Sequence, residues 1–400
     1  MKKILLFILV FVNVLIMNGQ KPVDYLMKAR ALTEAGKFSD AVLLLSMVPE
    51  SLTEYPVLLM RAEAYMSEGN YSQAMNDFNS SNKTEPLSGE YGLAQIYGLK
   101  GDAPTAIYHL ELSMKSSFKK SEKEILLDPS FSIIEGRPEW RQFWKKEWYG
   151  TLEKGIAEIE YAISVGKVAE AKQVLSLLSG EYPDNNNIIY ASALISLAEA
   201  KYGESVKSLT GLLAEEPGNE KFLRLLANTQ VASGNQVGAS AVYSQLLDLN
   251  IPDPELLILR AECYRKSGET GRAMEDINRY LDLYPGSKKA LSFAGKTESA
   301  DGDNIKALAF FSENLKLHPN DAECYIDRAN AYFISKSWDW AVKDYSMSLD
   351  LQPGNSDAWL NKGIALLGTG KRDDACFDFR QSFNLGNKKA TEYISRYCLK

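Results

Sequence analysis

Two histidines, His109 and His318, and four cysteines, Cys263, Cys324, Cys376 and Cys398, are the side chains here best suited to ligate a metal or attack a substrate. Their spacing suits neither task. Structural and catalytic metal sites draw on cysteines, histidines or carboxylates a few residues apart, and neither histidine has such a partner. No HExxH, GxSxG, phosphate-binding P-loop or GxGxxG motif occurs. Carboxylates abound, but scattered along helical patterns they read as solvated charge. The expectation is a protein without enzymatic activity, metal or cofactor.

A second cluster could act through surface rather than reactivity. The stretch "RPEWRQFWKKEWYG", residues 137–150, holds Trp140, Trp144 and Trp148, each four residues from the next, with Phe143 among them. On a continuous helix, side chains four apart share one side, so the stretch predicts an apolar helical stripe. Such a stripe is either a binding surface or packing at a joint, and its surroundings decide.

The formal net charge is −7, with no long basic run, so the electrostatic footprint that nucleic-acid binding needs is missing. Lys2 and Lys3 precede the apolar run "ILLFILVFV", which resumes as "VLIM" before Gly19. A basic start, a short apolar stretch and a small residue form a secretory signal peptide, residues 1–19, cleaved after Gly19. The apolar stretch, about 14 residues, is short of the roughly 20 that span a bilayer. The expected location is therefore the periplasm or the exterior, with no membrane insertion after cleavage; an uncleaved N-terminal anchor is the alternative.

What positions these residues is a repeat. Alanines at 171, 239, 273, 307, 341 and 375 stand 34 residues apart, or 68 where Ser205 fills the gap. Seven segments starting at 152, 186, 220, 254, 288, 322 and 356 stay in register to residue 389 without an insertion. Position 8 of each unit is mostly small (Ala193, Ala227, Ala261, Gly295, Ala329, Gly363), and position 24 is always large and apolar, from Leu175 to Phe379. Position 15 is usually glycine, which suits a helix end that needs positive φ. Proline stands near the end of six units, at 183, 217, 285, 319 and 353, with Pro252 displaced by one residue. Each unit reads as two antiparallel helices that cannot cover their own apolar face and must stack on neighbours. Three looser copies fill 22–120, so residues 121–151, with the tryptophans, form a non-repeat helical junction, and 390–400 a capping helix.

The unit "AECYIDRANAYFISKSWDWAVKDYSMSLDLQPGN", with Tyr325, Ala329, Tyr332, Ala341, Tyr345 and Pro353 in the expected columns, closely resembles the tetratricopeptide repeat family. That resemblance implies an all-α, right-handed α-α superhelix of about ten hairpins. It also implies a concave surface lined by positions 2, 5, 6, 9, 12 and 13 of the first helices. The residues it marks for partner contact are Tyr190, Leu194, Arg224, Asn228, Ile258, Glu262, Lys289, Ile326, Asn330 and Phe333. The family's carboxylate clamp would draw on Arg224, Asn228 and Lys289, but Leu259 and Phe293 occupy its other two positions, so no clamp is expected. The implied function is a non-catalytic scaffold or adaptor in the cell envelope that holds a partner peptide or helix. The alternatives are a permanent subunit of an envelope assembly or secretion machine and, less in keeping with the chain, a glycan-binding outer-membrane protein.

The repeat also gives the remaining residues an address. Cys376 lies eleven residues before Asn387 and Cys398 eleven after it. Mirror positions in a helical hairpin face each other, so a Cys376–Cys398 disulfide stapling the cap is expected. Cys263 and Cys324 fall in different columns and read as core. Trp140, Phe143, Trp144 and Trp148 sit where two arrays meet out of register, and structural packing is their expected role. "DPSFSIIEGRPEW" also resembles an element embedded in many tetratricopeptide proteins.

Overall fold

The computed structural model describes residues 22–249 and 251–399; the expected signal segment lies outside them. The described residues are helical, with no strand. Six helices form three hairpins: α1 (Pro22–Glu34) with α2 (Phe38–Ser46), α3 (Tyr55–Ser67) with α4 (Tyr71–Thr84), and α5 (Glu90–Leu99) with α6 (Ala103–Ser113). The short helices α7 (Glu122–Leu126) and α8 (Pro138–Phe143) follow. Seven more hairpins come next: α9 (Thr151–Ser164) with α10 (Val168–Glu181), α11 (Asn186–Ala198) with α12 (Tyr202–Glu215), and α13 (Glu220–Ala232) with α14 (Gln236–Asp248). The others are α15 (Glu255–Lys266) with α16 (Thr270–Leu283), α17 (Lys288–Asp301) with α18 (Asn304–Leu317), α19 (Ala322–Ile334) with α20 (Trp338–Leu351), and α21 (Ser356–Gly368) with α22 (Arg372–Asn384). Helix α23 (Ala390–Tyr397) ends the chain. Contacts divide it into unit 1, Met1–Asn235 with Val242–Pro254, and unit 2, Gln236–Ala241 with Glu255–Lys400.

Local chemistry sets the helix ends. In five of the seven 34-residue segments the last residue caps the helix that follows: Asn185, Asn219, Ser287, Asp321 and Asn355 each accept a backbone N–H from its first turn. Between the two helices of a hairpin the chain turns through a left-handed residue. That residue is usually glycine, as at Gly166 and Gly370, but Ala200 and Lys336 take the same conformation at φ 58° and 56°.

Packing repeats as well. Phe311 and Phe379 press so closely on the first helix of their hairpins that a Cβ on Gly295 or Gly363 would sit 2.4 or 2.6 Å from a ring carbon. In the first of the seven units Ile159 fills the small-residue column, and the close approach moves a turn earlier, to Gly155 against Leu178. A second feature was not anticipated from the sequence. An Arg in the first helix forks onto an Asp sixteen residues later in the second: Arg61–Asp77, Arg260–Asp276 and Arg328–Asp344, with N–O distances of 2.7–2.9 Å. In the last hairpin the cation is Lys362, 3.3 Å from Asp378. A lysine is a point charge and cannot form the bidentate fork.

The junction departs from the expected single stripe. Helix α8 stops at Phe143, so Trp148 is not on its face. The chain instead folds back, stacking the Trp148 ring on Phe143 at 4.8 Å while the indole N–H donates to the Phe143 carbonyl at 2.8 Å. The same carbonyl also accepts the Lys146 backbone N–H at 3.2 Å, so the turn after the helix and the indole share it. Trp140 and Phe143 are buried with Phe131 and Ile134 against Ala106, Ile107 and Leu110 of α6, and Trp144 and Trp148 pack on the same cluster. The cluster covers the third hairpin, its members running from Tyr91 to Tyr149. Lys119 ties it onward, with Nζ 2.6 Å from the Trp148 carbonyl and 2.7 Å from Glu153 of α9.

At the other end, α23 lays Ala390, Tyr393 and Ile394 over Leu360, Leu366 and Phe379, and a disulfide joins Cys376 to Cys398 with Cα atoms 5.6 Å apart. Cys263 and Cys324 are buried free thiols.

Two measurements test this packing. Burial pushes the Asp378 carboxyl up to about 6, with Lys362 opposing and Asp374 adding to the shift. A carboxyl with a raised folded pKa stabilises the fold below its unfolded pKa, and that contribution is lost as pH rises through about 4 to 6. Asp378→Asn should remove a pH-dependent loss of roughly 2–3 kcal/mol in urea titrations across that window, and Lys362→Arg should shrink it. Cys398→Ala should lower the stability of the C-terminal hairpin by roughly 2–4 kcal/mol and speed amide exchange in α23, because the 22-residue loop is no longer closed.

Candidate functional site

An apolar groove within unit 2 lies along the first helices of three successive hairpins, with a volume of about 420 Å3. Helix α15 contributes Ile258, Leu259 and Glu262; α17 contributes Lys288, Lys289, Ser292, Phe293 and Lys296; α19 contributes Glu323, Cys324 and Asp327. Asn314 of α18 completes the lining. These side chains converge because helical spacing places positions 2, 5, 6 and 9 of a first helix on one side, and 34-residue stacking aligns that side from unit to unit.

Its floor is apolar. Ile258 and Cys324 are buried, Phe293 half-buried, and Leu259 stands 40% exposed, a large aliphatic side chain open to whatever enters. Charges ring this floor, and each is paired within the protein. Lys288 reaches Asp321 at 2.7 Å, Lys289 reaches Glu255 at 3.0 Å, and Lys296 reaches the buried Asp327 at 3.0 Å. Ser292 donates its hydroxyl to the same Asp327. Glu262 is held by Arg265 at 2.8 Å and Lys266 at 3.3 Å, and the Arg265 guanidinium lies 5.8 Å from the Phe293 ring centre. The hydrogen bond from Lys288 to Asp321 holds the carboxyl below its usual range. The Cys324 thiol is pushed up to about 11 by burial, so it stays protonated and is no nucleophile.

Of the partner-contact residues expected from sequence, the groove gathers Ile258, Glu262 and Lys289. Others of unit 2 serve the hairpin itself. Asn330 accepts the Tyr345 hydroxyl at 2.6 Å, and Phe333 packs edge-on against Trp338 and Tyr345. Ile326 is half-buried outside the groove. In unit 1, Tyr190 is buried beside Phe222, with the Lys221 ammonium 4.3 Å from its ring centre; burial and then Glu160 push its hydroxyl pKa up. Arg224 is committed on both sides, to Glu220 at 2.7 Å and Asp253 at 2.8 Å, while Leu194 is half-buried and Asn228 exposed. Arg224 and Lys289 are thus spoken for by carboxylates of the chain. The groove residues not marked for partner contact from sequence are Ser292, Lys296 and Glu323, in the columns of those that were, and Leu259, Phe293 and Asp327 at position 6, a concave column from which none was marked. The column rule was sufficient signal; Lys288, Asn314 and Cys324 lie outside it.

Neither histidine joins a reactive group. His109 Nδ1 is 2.7 Å from Glu90, with its ring stacked on Tyr97, and His318 Nε2 is 3.0 Å from the Gly286 carbonyl. Among the described residues no group of three or more His, Cys, Asp or Glu side chains is placed to hold a metal ion, and no helix is long and apolar enough to cross a membrane. What the groove offers is shape and apolar surface.

A family model for the tetratricopeptide repeat matches residues 224–288. The small glutamine-rich tetratricopeptide repeat-containing protein 2 of Saccharomyces cerevisiae is 27% identical over 106 residues, 26% of this chain and 31% of that protein. The cellulose synthase operon protein C of Pseudomonas fluorescens is 21% identical over 316 residues, 76% of this chain and 24% of that protein. The chain spans less than a third of the length of either relative. Among solved structures, a tetratricopeptide repeat protein from Parabacteroides merdae is 20% identical, covering 62% of this chain and 98% of its own, with a TM-score of 0.47.

The charge pairing yields one prediction. Lys296→Met removes a half-exposed ammonium from the buried Asp327 carboxylate, which keeps the Ser292 hydroxyl, and should lower the stability of unit 2 by roughly 1–2 kcal/mol. Lys289→Met, at an exposed pair, should change it by less than about 1 kcal/mol; urea titration distinguishes the two.

Proposed function

Because the chain is a tetratricopeptide repeat protein, we propose that it works as a protein-interaction scaffold that grips a partner polypeptide in the groove of α15, α17 and α19. The supporting observation is the combination of an exposed Leu259 and a half-buried Phe293 with a rim whose charges are already paired. An entering segment gains by covering apolar surface and gains little from charge. The partner element is therefore an extended peptide or one face of a helix that inserts an apolar or aromatic side chain between Leu259 and Phe293. No step of this work calls on a cofactor or a catalytic residue.

In this reading the protein acts in the cell envelope, periplasmic or secreted, and its partner is an envelope protein. Two features support export: the basic and apolar first twenty residues, and the Cys376–Cys398 bridge, a bond that persists in oxidising compartments.

Photo-crosslinking from a benzoylphenylalanine at Lys289 in the native cell tests the assignment. The crosslinked partner should disappear in Leu259→Asp, which places a charge on the apolar floor but leaves circular dichroism and melting unchanged. Affinity for the recovered partner should fall at least tenfold, about 1.4 kcal/mol. Undiminished crosslinking by a folded Leu259→Asp would move the partner to another surface.

A further inference from the structure

The linker after α14 breaks the pattern of the others. At the column where five of the seven units carry proline, this one has Ile251, with Pro252 and Pro254 following and Leu249 preceding. Solvated linkers gain nothing from such apolar side chains. The structure shows what these face: within unit 1 the linker stands opposite the first two hairpins, and the Arg30 guanidinium donates to the Pro252 carbonyl at 2.9 Å across 222 residues of sequence. Between the two sides lies a second cavity, of about 600 Å3.

One wall is apolar: Tyr55, Leu59 and Met60 from α3 face Leu249, Ile251 and Pro252. The charged side chains are Glu34, Glu54, Glu63 and Glu220 against a single cation, Arg30. Arg30 is itself paired with Glu34 at 3.0 Å, and Glu220 is taken by Arg224 at 2.7 Å. Glu54 and Glu63 make no ion pair within 4 Å among the described residues. Surrounding protein raises the Glu63 carboxyl above its ordinary value, opposed by Lys120 and Arg30. A smaller cavity of about 300 Å3 shares Leu59 and Glu63 with the first, so Glu63 stands where the two meet; its lysines, Lys119 and Lys120, are paired with Glu153 and Glu124. This is the reverse of the unit 2 groove, where every rim charge has its partner.

We propose that this cavity is a second, separate recognition site, which takes a basic amphipathic segment of a partner polypeptide. An apolar side chain of that segment lies between Leu59, Met60 and Ile251, and a lysine or arginine on it meets Glu54 and Glu63. Charge complementarity selects the occupant: the cavity is lined by four glutamates and one arginine, so an acidic segment would bring like charge into it, and an uncharged one would leave Glu54 and Glu63 without an ion pair. The Arg30–Pro252 bond holds the two walls at a fixed separation, so the site is formed before the ligand arrives.

Fluorescence anisotropy with the full-length protein tests it, using a labelled twelve-residue peptide of alternating leucine and lysine pairs, its glutamate-for-lysine counterpart and a serine-for-leucine counterpart. The lysine–leucine peptide should bind at least tenfold more tightly than either, and its Kd should rise with salt. Glu54→Gln with Glu63→Gln should weaken it at least tenfold and flatten the salt dependence, without lowering the melting temperature, because neither carboxylate makes an ion pair that the fold would lose. Leu259→Asp in the unit 2 groove should leave it unaffected, which separates this site from the scaffold groove. Equal binding of the lysine and glutamate peptides, or unaltered binding by the double variant, would overturn the proposal. Loss on Leu259→Asp alone would also overturn it, by assigning the peptide to the other groove.

Discussion

Every hairpin of this protein depends on how closely its two helices can approach. A bulky side chain near the middle of the second helix, such as Phe379, Tyr345 or Ile277, is fully buried against a residue of the first that is almost always glycine or alanine. In two of the three hairpins with phenylalanine at the bulky position, those of Phe311 and Phe379, a glycine stands opposite where a single Cβ would collide with the ring; in the third, Phe78 packs with Ala62 and its ring presses on Gly92 of the next hairpin. Where the ring is tyrosine or the side chain aliphatic, alanine suffices. Closely packed interiors do not absorb an extra methyl without displacement. The small residue therefore sets the distance between helices, and that distance sets where the next hairpin can stack.

With that contact fixed, the rest of each first helix becomes available for other work. The face turned toward the second helix carries the small residue and, in four hairpins, the cation that meets the buried Asp sixteen residues later. The opposite face is under a weaker packing constraint, met in some units by residues such as Tyr190, Ile258 and Phe333, and its columns vary from unit to unit. Recognition here is written in residues the fold does not need. Leu259 and Phe293 can be replaced without touching the small–large contact, and the paired lysines around them neutralise the rim without entering the core.

That division of labour explains what could be read from sequence. The columns at positions 8, 15 and 24 repeat because geometry requires them, so hairpin number, turn positions and capping helix were all legible. The facing of Cys376 and Cys398 followed from hairpin symmetry alone. Trp148 was misplaced on the helical stripe because spacing by four implies one helix only if the helix continues. After α8 the chain turns back through Lys145 and Lys146, and the Trp148 indole N–H reaches the Phe143 carbonyl, contacts no periodicity reveals. The Arg–Asp forks were open to discovery as a sixteen-residue offset, but charged residues in an amphipathic helix look solvated until the partner helix is placed. Which concave residues would be free was not legible at all. Arg224 and Lys289 have the right type and column, yet each is held by a carboxylate of the chain 29 or 34 residues away.

The two cavities show how one repeat supplies different chemistry without a change of fold. In unit 2 each cation on the groove rim finds its anion on the same or an adjacent hairpin, because 34-residue stacking brings equivalent columns within reach of each other. In unit 1 the larger cavity is walled on one side by a linker rather than by the next hairpin, and a linker that presents Leu249, Ile251 and Pro252 supplies no cation to answer Glu54 and Glu63. Stacked columns tend to complete their own charge pairs; a surface built from one stack and one linker does not. The unanswered charge therefore arises from the break in the repeat, and the departure of a single linker from its five proline-bearing counterparts is what separates a neutral apolar groove from an acidic one.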